Sequence, residues 1–217
     1  MSPEMMDLLL TGTWETLYMT LVSTAIAYVI GVPVGVILYV TGEGGIRQNR
    51  AVNFVVGIIV NILRSVPFLI LLVAILPFTR AVVGTTIGST ATIVPLVVAA
   101  APYVARMVES SLKEVDAGVI EAARAMGSST FQMIWKVFLP EARPSLLVGA
   151  TISLATILGY SAMAGFVGGG GLGAIAINYG YYRYQSDVML ITVALLVVIV
   201  QIFQEGGLKL VNKVDKR

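Results

Sequence analysis

Few side chains in this 217-residue sequence could do catalytic chemistry. It contains no Cys and no His, which excludes disulfides, thiol or imidazole metal sites, and Ser-His-Asp or Cys-His catalysis. It also lacks the G-x-x-x-x-G-K-[ST] sequence of a phosphate-binding P-loop. We therefore expect no catalytic residue, no metal site and no cofactor bound by this chain. Any ATP chemistry would belong to a partner.

Polar side chains that could contact a solute lie at two places. Asn61 and Ser65 are four residues apart, hence on one helix face, where they either line a path or make an interhelical hydrogen bond. Tyr160, Ser161 and Met163 end an apolar run. Two hydroxyls and a soft thioether suit a zwitterionic amino acid with an apolar tail. Core filling and interfacial anchoring explain these three residues equally well.

One segment is too polar to span a membrane, EAARAMGSSTFQMIWKVFLP. Asp116 is placed to cap a helix that Gly127 ends, because a short carboxylate accepts free amides and glycine adopts the left-handed conformation at low cost. Ser129 and Gln132 have the spacing of a capping box for a second helix, and Pro140 is expected to end it because it has no amide hydrogen. The pattern predicts two short helices joined by an elbow.

The rest of the composition is typical of an integral membrane protein. Hydrophobic residues make up 57% and charged residues 12%, and the mean hydropathy is +0.90, whereas soluble domains are about a quarter charged. A net charge of +2 gives no reason to expect nucleic acid as a partner. Acidic Glu4, Asp7 and Glu15 precede or open the first apolar run, which argues against a basic secretory signal. The length fits one domain, residues 1–217.

Apolar runs of about 20 residues predict five transmembrane helices, at residues 14–40, 52–78, 87–108, 146–167 and 188–203. The third and fourth are rich in small residues and are expected inside the bundle, and the leucine- and valine-rich fifth is expected to face lipid. Glycine and proline in the second half of the first span predict a kink there.

Basic residues predict the orientation of these spans, because cytoplasmic loops carry the excess of Lys and Arg. With the N-terminus outside and the C-terminus inside, the predicted cytoplasmic segments hold Arg47, Arg50, Lys113, Arg124, Lys136, Arg143, Lys209, Lys213, Lys216 and Arg217. The predicted outer segments hold Arg80 and Arg183. Arg64 lies within the second span and either snorkels to the inner surface or pairs across the pathway. Arg106 and Glu109 have the spacing of an i, i+3 ion pair.

The polar segment resembles the EAA loop of permease subunits of bacterial ABC importers. The matching positions are Glu121, Ala122, Ala123, Gly127, Val137, Leu139 and Pro140; the family usually has isoleucine where Val137 stands. The resemblance implies a cytoplasmic coupling-helix pair, within about residues 113–143, that docks into a dimeric ATPase holding ATP and Mg²⁺. Glu121 is then expected to meet the ATPase, Ala122 and Ala123 to allow close approach, and Gly127 to set the elbow.

Further stretches resemble the permease subunits of bacterial methionine importers: WETLYMT, GVPVGVILYVT, RSVPFLILL, PFTRAVVGTTIG, APYVARMVE and GYSAMAGFVGGGGLG. This likeness implies an all-α, five-span permease of the bacterial inner membrane that works as a homodimer. It also implies an extracytoplasmic methionine-binding lipoprotein as a partner and methionine import by alternating access.

Two other classes of function stay open at this stage. A permease for another small amino acid or a phosphonate-like solute would carry the same coupling segment. An ion-gradient transporter or channel usually has internal repeats and charges at mid-membrane. No carboxylate lies in the middle of a predicted span, since Glu15, Glu109 and Asp187 all fall near span ends. A non-transporting scaffold would leave the capped segment unexplained.

Overall fold

The computed structural model describes residues 3–214, and every regular element in that range is a helix. Lys216 and Arg217, which were counted in the basic tail, lie outside the described residues. The helices are α1 (Pro3–Thr41), α2 (Arg50–Ser65), α3 (Phe68–Ala74), α4 (Leu76–Val83), α5 (Ser89–Lys113), α6 (Ala117–Ala125), α7 (Thr130–Met133), α8 (Leu139–Glu141), α9 (Arg143–Ala164), α10 (Gly171–Ile175) and α11 (Ser186–Val214).

Four of these helices are long and apolar enough to cross a membrane: α1, α5, α9 and α11. A fifth span exists if the bent pair of α2 and α3 is counted as one. Helix α5 is the centre of the bundle, because 61% of its apolar stretch is buried, against 17% for α11. The interior position predicted for the third span is confirmed, and the fifth is the least buried of the four, as expected of a helix that faces lipid. The apolar stretch of α9 is 28% buried within this chain, so the interior position of the fourth span stays a prediction.

The second predicted span, residues 52–78, is wrong as a single straight helix. Helix α2 ends at Ser65, α3 begins at Phe68, and their axes differ by 103°. The break lies at Val66, which has φ −81° and ψ 125°. The ring of Pro67 disfavours helical geometry in the residue before it, so Val66 is extended and the chain turns.

Helix α1 runs unbroken from Pro3 to Thr41, so the glycines in its second half do not interrupt it. They allow close approach to α5 instead. A Cβ on Gly31 would lie 2.9 Å from the Ala101 carbonyl oxygen, and one on Gly35 would lie 2.5 Å from that of Ala105. Only glycine permits backbones to pack this closely, so α1 and α5 form a tight pair through the bundle.

The glycine-rich stretch after α9 is an ordered junction, and we call residues 168–173 the glycine junction. Gly168, Gly170 and Gly171 have φ between +71° and +81°, the left-handed region that other residues avoid. The Gly171 amide donates to Glu15 Oε2 at 2.7 Å, and the Leu172 amide donates to Thr16 Oγ1 at 2.9 Å. The junction therefore ties α1 to α10, a short helix that sequence reasoning did not predict and that continues as a π-helical turn, Ala176–Tyr181.

Candidate functional site

Residues 116–141 fold into two short helical segments, which we call the hairpin. Asp116 caps α6, its Oδ1 accepting from the amides of Gly118 at 2.7 Å and Val119 at 3.3 Å. Gly127 has φ +74°, and two further bonds close the end of α6: the Gly127 amide donates to the Arg124 carbonyl, and the Ser128 amide donates to the Ala123 carbonyl. This is a Schellman ending, and the predicted cap and stop of the first helix are confirmed.

The second segment begins with the predicted capping box. The Ser129 amide donates to Gln132 Oε1 at 2.9 Å, and the Gln132 amide donates to Ser129 Oγ at 3.3 Å. The prediction that Pro140 ends this segment is wrong. Helix α7 passes into a π-helical turn, Ile134–Phe138, and then into α8, which ends at Glu141. Pro140 lies in the first turn of α8, where a missing amide hydrogen costs little.

The inner face of the hairpin is packed into the main hydrophobic core. Ala123 and Met133 are each 3% exposed and Phe138 is fully buried. They join a cluster that includes Leu112 of α5. The ring of Phe138 lies edge-on to that of Tyr39 near the end of α1, with centroids 5.1 Å apart. The hairpin is thus held by side-chain packing to the two helices that form the centre of the bundle.

The outer face of the hairpin carries large apolar side chains that no other residue among 3–214 covers. Met126 is 79% exposed, Phe131 70% and Trp135 59%, and the rings of Phe131 and Trp135 lie 6.1 Å apart. Exposed apolar groups clustered on a polar element mark an interaction surface. Sequence reasoning missed this surface, although an aromatic pair at i, i+4 in a polar segment was a usable signal.

The seven positions of the motif divide between these two faces. Glu121, Ala122 and Gly127 are exposed, whereas Ala123 is buried. Val137 and Leu139 are partly buried and pack against the main core, and Pro140 is partly buried. The small side chain of Ala123 therefore allows α6 to approach its own core.

A buried ionic cluster lies at the end of α5 that leads into the hairpin. Glu109 is 7% exposed and accepts from Arg106 Nη1 at 2.6 Å and Lys113 Nζ at 2.7 Å. Arg106 Nη2 also donates to Asn61 Oδ1 at 2.8 Å, across to α2. The predicted Arg106–Glu109 pair is confirmed. Two cations next to one buried carboxylate offset its desolvation. The hydrogen bond from Arg106 to Asn61 ties α2 to α5.

The candidate solute contacts are distributed between buried and exposed positions. Asn61 and Ser65 are exposed; Asn61 accepts from Arg106, and the Ser65 hydroxyl donates to the Asn61 carbonyl at 2.7 Å. Tyr160 stacks on Phe68 of α3, with centroids 4.5 Å apart. Met163 is 42% exposed. Ser161 is 1% exposed and donates to the Leu158 carbonyl within its own helix.

Two consequences follow for the predicted solute path. The structure brings Tyr160 next to α3, the helix that follows Ser65 around the bend. It leaves the Ser161 hydroxyl occupied and enclosed. Among residues 3–214 no three acidic side chains form a group that could hold a metal ion. The arrangement suits recognition and mechanical transmission.

Comparisons with known proteins agree with this geometry. The sequence matches the family described as binding-protein-dependent transport system inner membrane component over residues 31–206. A probable D-methionine transport system permease protein MetI of Vibrio cholerae is 54% identical over 211 residues, covering 97% of this chain and 94% of that relative. The D-methionine transport system permease protein MetI of Escherichia coli K12 is 58% identical over 165 residues, 76% of each chain.

Solved structures extend the comparison to three dimensions. A chain from the inward-facing MetNI methionine ABC transporter matches with a TM-score of 0.98 and 54% identity, over 100% of both chains. A chain from an amino acid ABC transporter matches with a TM-score of 0.80 over 96% of this chain and 94% of that one. Its identity is 20%, so this second likeness concerns the fold alone.

Proposed function

This chain belongs to the family of binding-protein-dependent transport system inner membrane components, and we propose that it is the permease subunit of an ATP-driven methionine importer. The observation that carries the proposal is 54% identity and a TM-score of 0.98 over the full chain to the MetNI methionine transporter. The permease is not itself an enzyme. ATP and Mg²⁺ are held by a separate ATPase, and the permease supplies the path.

The outer face of the hairpin is the docking surface for that ATPase. Met126, Phe131 and Trp135 supply exposed apolar area, and aromatic side chains are the usual anchors of protein interfaces. Glu121 and Ala122 lie on the exposed part of α6, where a carboxylate adds a directional contact and an alanine lets the partner approach. Gly127 sets the angle between the two helical segments.

The inner face transmits the movement of the ATPase to the bundle. Ala123, Val137 and Leu139 pack against the same core as α5, and Phe138 contacts Tyr39 of α1. A close-packed interface moves as one body and switches between discrete arrangements. Closure of the ATPases on ATP therefore moves α1 and α5 together, which opens the bundle alternately to each side of the membrane.

Methionine passes between two copies of this chain. Asn61, Ser65, Tyr160 and Met163 are partly or fully exposed on one protomer, as positions that line a shared path must be. Ser161 supports the path from behind, since its hydroxyl is bonded within α9. An extracytoplasmic methionine-binding lipoprotein delivers the solute to the outer opening.

In the bacterial inner membrane the N-terminus faces outward and the hairpin faces the cytoplasm. The basic residues of the α1–α2 loop, the hairpin and α11 support this orientation. The whole chain is then one permease domain, and the coupling segment spans about residues 113–143.

Uptake of labelled methionine into proteoliposomes tests the function. Vesicles hold the permease, its partner ATPase and internal ATP, with the binding protein outside. We expect uptake that requires ATP and that unlabelled D- or L-methionine suppresses, whereas other small amino acids and phosphonates do not. Uptake driven by a proton gradient without ATPase would overturn the proposal. Suppression by a phosphonate alone would show that the substrate is a phosphonate and not methionine.

A further inference from the structure

A groove lies between α1, α9 and α11, on the side of the bundle away from α2. Its volume is about 380 Å³. All three helices are long enough and apolar enough to cross a membrane, so in a bilayer the groove lies among membrane-spanning segments. Most of its wall is apolar, formed by residues such as Leu147, Leu154 and Phe203.

Two glycines shape the wall that α11 contributes. Gly206 and Gly207 both line the groove. A Cβ on Gly207 would collide with Thr151 of α9, whereas a Cβ on Gly206 would meet no atom within 4 Å. Gly207 thus lets the two helices touch at the floor of the groove, and Gly206 leaves the space above that contact open.

Basic side chains frame one end of the groove. Lys213 follows the lining residues Gly206 and Leu210 by seven and three positions, and Lys209 follows Ile202 by seven. Helical spacing therefore places Lys213 on the groove side of α11, three residues beyond Leu210, and Lys209 at the edge of that side. Both are exposed, and within residues 3–214 neither takes part in the ion pairs, which join Glu109 to Arg106 and Lys113.

A third cation and the position of the nearest carboxylates complete the charge pattern. Arg143 begins α9, is exposed, and precedes the lining residue Leu147 by four positions. Glu205 precedes Lys209 by four positions and so lies on the same face of α11, where it offsets the charge of that lysine, and Glu141 borders a separate cleft. An apolar channel that ends at Lys213 and Arg143 is complementary to an acyl chain that ends at a negative headgroup.

We propose that this groove is a binding site for one anionic phospholipid. Its acyl chain lies in the groove against Leu154 and Phe203, in the space left by Gly206, and its phosphate meets Lys213 and Arg143. Anionic headgroups attract basic residues at a membrane surface. The proposal rests on the proposed function only in requiring that the chain lies in a bilayer, and its test measures lipid and not transport.

Native mass spectrometry of the purified complex, equilibrated with dioleoyl phosphatidylglycerol or dioleoyl phosphatidylcholine, measures the binding. We expect preferential retention of phosphatidylglycerol. In the variant Arg143→Gln/Lys213→Gln, its apparent affinity should fall about fivefold for each charge removed, with phosphatidylcholine unchanged. The matched control Arg80→Gln/Arg183→Gln removes two charges from the predicted outer segments and should retain phosphatidylglycerol as the wild type does. Equal loss in both variants would overturn the site.

Filling the groove gives an independent test. Gly206→Leu adds a side chain where a Cβ meets nothing within 4 Å and raises helix propensity, so the fold should tolerate it. We expect it to reduce retention of both lipids by at least fivefold. Gly159→Leu, at a helical position with equally open surroundings, should not. Unchanged lipid binding in Gly206→Leu would contradict the proposal.

A second copy of the chain is the competing occupant. The sequence has no cysteine, so Gly206→Cys introduces a single thiol. Rapid intermolecular disulfide formation in membranes would show that protein covers the groove and would overturn the lipid site. Absence of cross-linking, together with labelling by a lipid-soluble maleimide that phosphatidylglycerol slows, would support it.

Discussion

The hairpin and the glycine junction both interrupt the spanning helices, but they are held in different ways. The hairpin is closed by caps two or three residues apart, at Asp116 and at Ser129 with Gln132. The glycine junction is closed by Glu15, which is 156 positions away in sequence, and by Thr92, whose hydroxyl donates to the Gly169 carbonyl across 77 positions. One is a local structure docked by apolar packing, and the other exists only when distant helices meet.

The hairpin and the glycine junction also differ in how exposed their residues are. The hairpin leaves Phe131 and Trp135 exposed, whereas the glycine junction buries its central residues, with Gly171 and Leu172 enclosed. A segment whose helix caps are local can use one face for packing and present the other to another protein. A segment whose hydrogen-bond partners lie on distant helices forms only when those helices are correctly packed. We therefore expect variants of the hairpin to separate stability from coupling, and variants of the junction to affect both.

The largest effect is expected from Phe138→Ala, compared with Phe131→Ala. Removing a fully buried phenylalanine should cost about 3–5 kcal/mol of unfolding free energy, and the edge-on contact with Tyr39 is lost as well. Phe131→Ala should leave the unfolding midpoint nearly unchanged but abolish co-purification of the ATPase. Thermal unfolding in detergent and a pull-down measure the two. Equal stability of both variants would mean that the inner face does not anchor the hairpin.

A smaller loss is expected at the junction from Glu15→Ala. The carboxylate accepts one amide at 2.7 Å, and bonds to charged groups contribute about 1.5–3 kcal/mol. Thr13→Ala, two residues earlier on α1 with a hydroxyl that donates to the Leu9 carbonyl, is the control and should cost under about 1 kcal/mol. Hydrogen exchange should show faster exchange of the Gly171 and Leu172 amides in Glu15→Ala alone. Unchanged exchange of these two amides would show that Glu15 does not cap α10.

Gly127→Val tests the elbow, and Gly44→Val imposes the same backbone strain elsewhere in the chain as a control. Valine at φ +74° should cost about 1–2 kcal/mol, leave membrane insertion intact and uncouple ATP hydrolysis from methionine uptake. Gly44→Val imposes the same strain at φ +76°, in the loop after α1, where a Cβ also meets nothing within 4 Å. In the Gly44→Val variant, ATP hydrolysis by the partner ATPase should stay coupled to methionine uptake. Vesicle uptake per ATP hydrolysed measures the difference, and equal ratios would assign the defect to strain alone.

The smallest effect is expected from Ser129→Ala, which removes half of the capping box. Loss of an N-cap hydroxyl costs about 1 kcal/mol, and the inner face of the hairpin stays packed. We expect a small drop in the unfolding midpoint and near-normal uptake. If uptake fell as far as in Gly127→Val, the cap would have a role in coupling beyond local stability.

The same contrast explains what could be predicted from sequence. Caps at Asp116, Ser129 and Gly127 act over a few residues, so spacing alone identified the first helix, the capping box and the elbow. The apolar runs identified four long spans. The bend at Val66 was readable from the proline that follows it, but hydropathy averages across such a break.

Other features could not be read from sequence because distant residues create them. The Glu15 cap on α10 requires α1 and the glycine junction to be neighbours in space, and the bond from Arg106 to Asn61 requires α2 to lie on α5. Exposed Trp135 and buried Phe138 both lie in one π-helical turn, whose i→i+5 hydrogen bonds space side chains differently from an α-helix. Helical periodicity assumes regular turns and does not anticipate this shift.

Helix α1 contacts the hairpin through Tyr39 and the glycine junction through Glu15 and Thr16. These contacts are separated by about 35 Å along a continuous helix. A tilt of α1 by about ten degrees therefore displaces one contact by about 6 Å relative to the other. A displacement of α1 at the Tyr39 contact is therefore transmitted to the Gly171 and Leu172 amide bonds about 35 Å away along the helix.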